Sequence, residues 1–229
     1  NTNLALSRSV VDSETSPFED FNGHGTHCAG LAAGKGTGNP GVTGMSRGAE
    51  VISVKVLDRQ GFGSWSQLIL ALDHVSQFSV NGDVVLMSLG SGLVNDCTDS
   101  EPILRSMIEQ LAMDKVTVVM SAGNESIASS QNLPGCFNGS GILTIGAVDF
   151  DCSGPGNLAG YSNFGTPSID YVAPGTQLFS TFPNNQYQVM SGTSMAAALV
   201  AGLVHSDGGS LRGRLEIQSG GFTYSLAGR

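Results

Sequence analysis

Four short apolar runs constrain this chain more than anything else in it. They are Val51–Leu57, Val84–Leu89, Val116–Met120 and Ile142–Val148. Their apolar positions are nearly continuous rather than alternating. A strand with that pattern is covered on both faces, which is the habit of a parallel sheet clad by helices. The intervening segments repeat at helical spacing. Trp65, Leu68, Ile69, Leu72 and Val75 make one stripe behind the capping residue Ser64. Ile103, Leu104, Met107, Ile108 and Leu111 make another, with Ser100 as the expected cap and Pro102 in the first turn. Strand, helix, strand, helix, strand predicts parallel strands joined by right-handed crossovers. The fold class is therefore α/β, three-layered, with a parallel central sheet and helices on both faces. In such sheets the functional site lies beyond the carboxyl ends of the strands. Gly90 and Asn124 fall there.

Composition excludes several functions. The 229 residues carry a net charge of −9 with only ten Lys and Arg, so nucleic acid is not an expected partner. No apolar run reaches membrane-spanning length, and no leader is visible at Asn1. A single domain is expected, with an exposed loop over 1–23, a core over 24–204, and a tail over 205–229 with no periodic pattern. The four cysteines, Cys28, Cys97, Cys136 and Cys152, form no C-x-x-C pair, so zinc is not expected.

Two stretches carry chemistry. Ser191-Gly192-Thr193-Ser194-Met195-Ala196 opens an apolar, alanine-rich run through Val204. A serine there stands at the start of a buried helix, beside free backbone N–H groups and the positive end of the helix dipole. That suits either an N-cap or a nucleophile whose attack makes an oxyanion. The second stretch, Gly23-His24-Gly25-Thr26-His27-Cys28-Ala29-Gly30, puts His24 at a helix start with His27 one turn on. H-x-x-H can ligate a metal, but no acid or cysteine stands nearby in sequence to complete a site. The competing readings are two structural histidines, or His24 as general base for Ser194.

Together with Ser121-Ala122-Gly123-Asn124, and in this order, these stretches resemble the subtilisin-like serine proteases, the subtilases. The resemblance covers residues 13 to about 204. It implies that His24 is the general base, Ser194 the nucleophile, and Asn124 the side-chain donor of the oxyanion hole. It also implies that Ser88-Leu89-Gly90 pairs with an extended substrate and that Ser121-Ala122-Gly123 walls the pocket before the scissile bond. His24 and Ser194 should then lie within hydrogen-bond reach, or slightly beyond it.

The triad acid does not follow so simply. Val10-Val11-Asp12-Ser13 looks like the family's aspartate stretch, but Asp12 stands too close to His24 in sequence, and Glu14 replaces the expected glycine. An ungapped match back from His24 places Asp12 in a surface loop and the catalytic aspartate before Asn1. Asp20 is a weaker candidate. On that register the central strand bearing the acid falls outside the sequence. Ala198-Leu199 stand where the family has Pro-His, and the long final helices are missing. The resemblance thus implies a fold incomplete at both ends. It further implies a Cys97–Cys136 disulfide, a free core thiol at Cys28, possible structural calcium at Asp170, protein or peptide substrates, a monomer, and secretion. Cys152 has no assigned role. The alternative function is an impaired subtilase-like chain that at most binds peptides.

Overall fold

The computed structural model describes residues 2–38, 40–92, 97, 100–151, 154–209 and 211–228. In chain order the elements are β1 (Arg8–Ser9), α1 (His24–Ala33), β2 (Val54–Lys55), α2 (Trp65–Ser76), β3 (Val84–Met87), β4 (Ser91–Gly92), α3 (Pro102–Met113), β5 (Thr117–Ser121), β6 (Asn132–Leu133), β7 (Ile142–Asp151), β8 (Gly154–Leu158), β9 (Tyr171–Pro174), β10 (Leu178–Phe182), β11 (Gln186–Met190), α4 (Thr193–Ser206), β12 (Arg212–Ser219) and β13 (Phe222–Gly228). The central sheet runs β12-β13-β9-β7-β5-β3, with β8 paired to β7 as well. The contacts β3–β5, β5–β7, β7–β9 and β9–β13 are parallel, whereas β8 and β12 run antiparallel to their neighbours.

Strand alternation splits the core between the two faces. Val118 and Met120 of β5 face α2 and α3, where they pack with Leu68, Leu72, Leu104 and Ile108. Val119 faces the other way, against Ala196, Ala197 and Val200 of α4. The helix α4 is buried almost throughout and packs on α1 through small residues. A Cβ on Gly202 would stand 2.6 Å from the Ala32 carbonyl oxygen, so only glycine lets the two backbones approach this closely.

Local signals explain the helix starts. Ser64 and Gln67 form a capping box on α2. The expected cap Ser100 lies one residue too early for α3. Pro102 takes the first helical position, and Glu101 occupies the cap position with φ 48°. His74 is tied to the Leu6 carbonyl at 2.8 Å and packs edge-on against Phe78.

Two stretches depart from the sequence reading. The run 51–57 narrows to the two-residue β2, which pairs with β1 outside the central sheet. Its second edge and the outer edge of β3 have no strand partner among the described residues. The tail that looked patternless forms the hairpin β12–β13. Gly220 and Gly221 adopt φ 59° and 83°, the double-positive turn that a two-residue hairpin loop requires. Ile217 and Tyr224 then pair and are buried against Val172 and Ile169.

The segment leading to α1 is held by one buried carboxylate. Glu14 is ion-paired with Lys55 and bonds the Arg59 side chain at 3.1 Å and its N–H at 2.8 Å. The Lys55 ammonium holds the Glu14 carboxyl down at about 2 against an ordinary 4.5. Cys97 and Cys136 are bridged, with Cα atoms 6.1 Å apart, and Cys28 is buried and free. Cys152 lies outside the described residues.

Two outcomes follow. Opening the bridge by Cys97→Ser with Cys136→Ser releases a loop of sequence separation 39 and should cost about 4 kcal/mol by the chain-entropy relation, read from denaturant melts. Glu14→Gln should destabilise the protein at neutral pH. Because the folded carboxyl is depressed, that stabilisation is present above about 4.5 and lost as pH falls toward about 2. Melting curves of the two proteins should therefore converge across that window.

Candidate active site

The site is assembled where two helices begin beside the carboxyl ends of β3 and β5. His24 is the first residue of α1. The helix has no cap from Gly23, but Asp20 supplies one from outside. Its carboxylate accepts from Gly23 N at 2.7 Å, Thr26 N at 2.9 Å and Thr26 Oγ1 at 2.7 Å. Those bonds hold the Asp20 pKa below its ordinary value although burial raises it. Asp20 is thus committed to the helix end and is not bonded to the His24 ring. Asp12 is exposed and likewise makes no bond to His24.

Burial pushes the His24 pKa below its ordinary 6.5; the Asp20 charge partly opposes this and His27 adds to it. His24 is therefore neutral at pH 7, the form that can accept a proton. His27 differs completely. It is fully buried, and its Nε2 faces the Leu178 and Gln188 carbonyls at 3.1 Å each. Two carbonyl acceptors require a proton on that nitrogen, so it cannot ligate a metal there.

Ser194 is the second residue of α4 and is 8% exposed. Its Oγ donates to the Ser88 carbonyl at 3.4 Å, and Ser88 Oγ donates to the Ser194 carbonyl at 3.0 Å. The direct bond from Ser194 to His24 is not formed. One sulfur joins the two motifs: Cys28 Sγ lies 3.9 Å from His24 Nε2 and 3.9 Å from the Ser194 carbonyl. Burial pushes that thiol up to about 12, so it is no thiolate nucleophile.

Asn124 stands across from the start of α4. Its Oδ1 accepts from Thr193 N at 2.8 Å and Thr193 Oγ1 at 3.1 Å. The amide is thereby oriented, and its Nδ2 has no protein partner among the described residues. Ser194 N, in the first turn of α4, has no acceptor within the helix. Thr193 also accepts from Gly123 N at 3.1 Å, tying the loop after β5 to α4. Asn163, fully buried, braces the same loop through Ala122 O, Glu125 N and Ile127 N. Sequence reasoning passed over both Thr193 and Asn163. The hydroxyl beside Ser194 was the available signal for the first; the second sits in a turn-rich stretch with none.

The remaining expected residues separate into near and far. Ser88, Leu89 and Gly90 continue from β3, and Ser121, Ala122 and Gly123 from the adjacent β5, so both segments border the site. Asp170 precedes β9 at its amino end, away from it. Its carboxylate accepts from Thr144 N at 2.8 Å, and burial pushes its pKa up to about 6. Among the described residues no three His, Cys, Asp or Glu cluster to hold a metal. Asp170 alone offers one strong oxygen toward the roughly six to eight that calcium takes.

Beside His24 lies a cavity of about 800 Å³. Ile52, Val54, Val56, Val84, Leu86 and Ala33 are among the residues that line it. It borders β2 and β3, each of which has one edge without a strand partner among the described residues.

A histidine and a serine at helix starts by the carboxyl edge of a parallel sheet, with an oriented amide beside them, form the kind of constellation that serine hydrolases use. The comparisons with known proteins narrow that class. The family model of peptidase S8, the subtilase family, matches residues 7–205, and the chain belongs to that family. It is 34% identical over 197 residues to an intracellular serine protease of Paenibacillus polymyxa, covering 83% of this chain and 56% of that protein. It is 32% identical over 203 residues to thermitase of Thermoactinomyces vulgaris, covering 87% and 67%. A crystal structure of a cold adapted subtilisin-like serine proteinase superposes with TM-score 0.72 at 29% identity, covering 87% of this chain and 65% of that one. The chain spans about half the length of the first curated relatives it matches. Among the described residues, no helix is long and apolar enough to cross a membrane.

His24 should titrate below 6.5 when its ring protons are followed by NMR. Asp20→Asn removes the opposing charge and should move that midpoint lower still, while Asp12→Asn, at an exposed site, should leave it unmoved.

Proposed function

We propose that the protein is a serine endopeptidase that works through an acyl-enzyme. The reading rests chiefly on one observation: Asn124 is held by Thr193 so that its amide is fixed beside the turn that presents Ser194. His24, neutral at pH 7, takes the hydroxyl proton as Ser194 Oγ turns from the Ser88 carbonyl and attacks the scissile carbonyl carbon. The oxyanion is stabilised by Asn124 Nδ2 and Ser194 N–H. His24 then returns its proton to the leaving amine, and water repeats the sequence on the ester. The substrate lies extended along Ser88–Gly90, its main chain pairing as an added strand.

The acid that would orient His24 is, on this proposal, carried by a strand that fills the cavity between β2 and β3. Such a strand would pair with both open edges and pass beside the ring. Asp12 and Asp20 are poor substitutes, the first exposed and the second occupied by the helix end. That same observation favours the second reading, an impaired subtilase-like chain that at most binds peptides. Calcium at Asp170 belongs to the proposal in a structural capacity only. Protein or peptide substrates, a monomeric state and secretion are proposed on the same basis, the last supported by the Cys97–Cys136 bridge.

The test is hydrolysis of a chromogenic peptide together with labelling by a fluorophosphonate. Ser194→Ala should abolish both. Asn124→Ala should lower turnover about 10²–10³-fold, a magnitude taken from the corresponding change in a subtilisin. Turnover should rise about 10⁴-fold when the protein carries the chain preceding Asn1, if that segment supplies the acid. Labelling at a residue other than Ser194 would refute the mechanism. No gain from the longer chain would refute the strand.

A further inference from the structure

Asn124 is held at two points. Thr193 holds its side-chain oxygen. Its main chain is held from Asn163, a 0% exposed residue in the loop between β8 and β9. An asparagine amide has two donor hydrogens and an oxygen with two lone pairs. Asn163 directs all of them at the loop after β5. Its Nδ2 donates to Ala122 O and to Glu125 Oε2, each at 2.8 Å. Its Oδ1 accepts from Glu125 N at 3.0 Å and Ile127 N at 3.1 Å. Its own main-chain N–H donates to Gly123 O at 3.0 Å. The same Glu125 Oε2 accepts from Asn124 N at 2.9 Å, so one carboxylate joins the Asn163 amide to the Asn124 main chain.

The brace is anchored in turn. Ser162 Oγ donates to Asn163 O at 2.9 Å and accepts from Ala147 N, in β7, at 3.1 Å. The loop after β5 is thereby tied to the neighbouring strand of the sheet. It needs such a hold. Gly123 sits at φ 99°, and a Cβ there would overlap Asn163 Nδ2, so only glycine lets the two come this close. A glycine beside Asn124 also leaves that backbone free to rotate once the brace is cut. Such a rotation would carry Asn124 Nδ2 away from the start of α4.

We propose that Asn163 is a positioning residue for the oxyanion hole. It fixes the main chain on both sides of Asn124, so that Nδ2 is aimed before the reaction begins. The proposal rests on the peptidase reading and adds a residue to its machinery. A donor of this kind is effective because it is fixed in advance, and it acts on charge that appears only after attack. Loosening it should therefore lower kcat and leave KM nearly unchanged.

The test measures kcat and KM on a chromogenic peptide with the full-length gene product, in the wild-type and Asn124→Ala backgrounds. Asn163→Ala should lower wild-type kcat about tenfold or more, within the roughly 10²–10³-fold that loss of the donor itself costs. KM should change less than about threefold. In the Asn124→Ala background the same substitution should change kcat less than about threefold, because the group it positions is gone. A brace that merely supports the fold would lower activity equally in both backgrounds. Asn163→Asp keeps the size and the accepting oxygen, removes the donor, and should show the same pattern. Glu125→Ala cuts the link at an exposed residue and decides the matter should neither Asn163 variant melt as a folded protein. A kcat lowered by less than about threefold in every folded variant would overturn the inference, as would a loss carried by KM. So would a loss of more than about threefold that persists beside Asn124→Ala. If a fluorophosphonate labels Ser194 in those cases, the peptidase reading survives them. If Ser194 is not labelled even in wild type, that reading falls and this inference with it.

Discussion

The structure depends on how closely α4 can lie against α1 and the central sheet. A helix buried on nearly every side must be built of small and apolar residues, and Met195 through Val204 meets that demand. Gly202 lets it touch the backbone of α1. The same contact fixes the starts of both helices relative to each other. His24 and Ser194 are therefore placed by packing of the helix bodies, and only finely adjusted by polar bonds. Thr193 makes that adjustment. It bonds the loop after β5 through both Gly123 and Asn124, so strand end and helix start move as one unit.

The electrostatics of the site follow from the same burial. His24 is neutral because it is desolvated, and Asp20 is too occupied with the α1 terminus to reverse this. Among the described residues no carboxylate is bonded to the His24 ring, and Ser194 Oγ rests on the Ser88 carbonyl. The open space between β2 and β3 lies beside that incomplete pair. The run 51–57 is bonded along one edge by the 2–10 segment, through Val51, Ser53 and Lys55 carbonyls, and only Val54–Lys55 forms regular strand.

Much of the fold was legible because its signals are local and repeated. Continuous apolar runs and helical stripes led directly to β3, β5 and β7, with α2 before β3 and α3 between β3 and β5. The Ser64 box fixed the start of α2. The hairpin β12–β13 was missed although Gly220-Gly221 is a recognised two-residue turn, because the flanking alternation is weak and half its side chains are exposed. The Cys97–Cys136 pairing came from a resemblance; spacing alone could not have chosen it.

For the candidate site, sequence supplied the residue types and their order: a histidine and a serine each opening a small-residue helix, and an asparagine after a strand. Those are properties of short segments, set by local conformation and by which side chains carry protons or donors. Tertiary structure decided what each can do. It turned His27 into a buried donor to two carbonyls and Asp20 into a helix cap. It anchored Asn124 through one oxygen and buried Asn163 behind the loop that carries it. None of these could be read in advance, because each depends on which distant backbone group arrives within about 3 Å, and that is settled only when the layers pack.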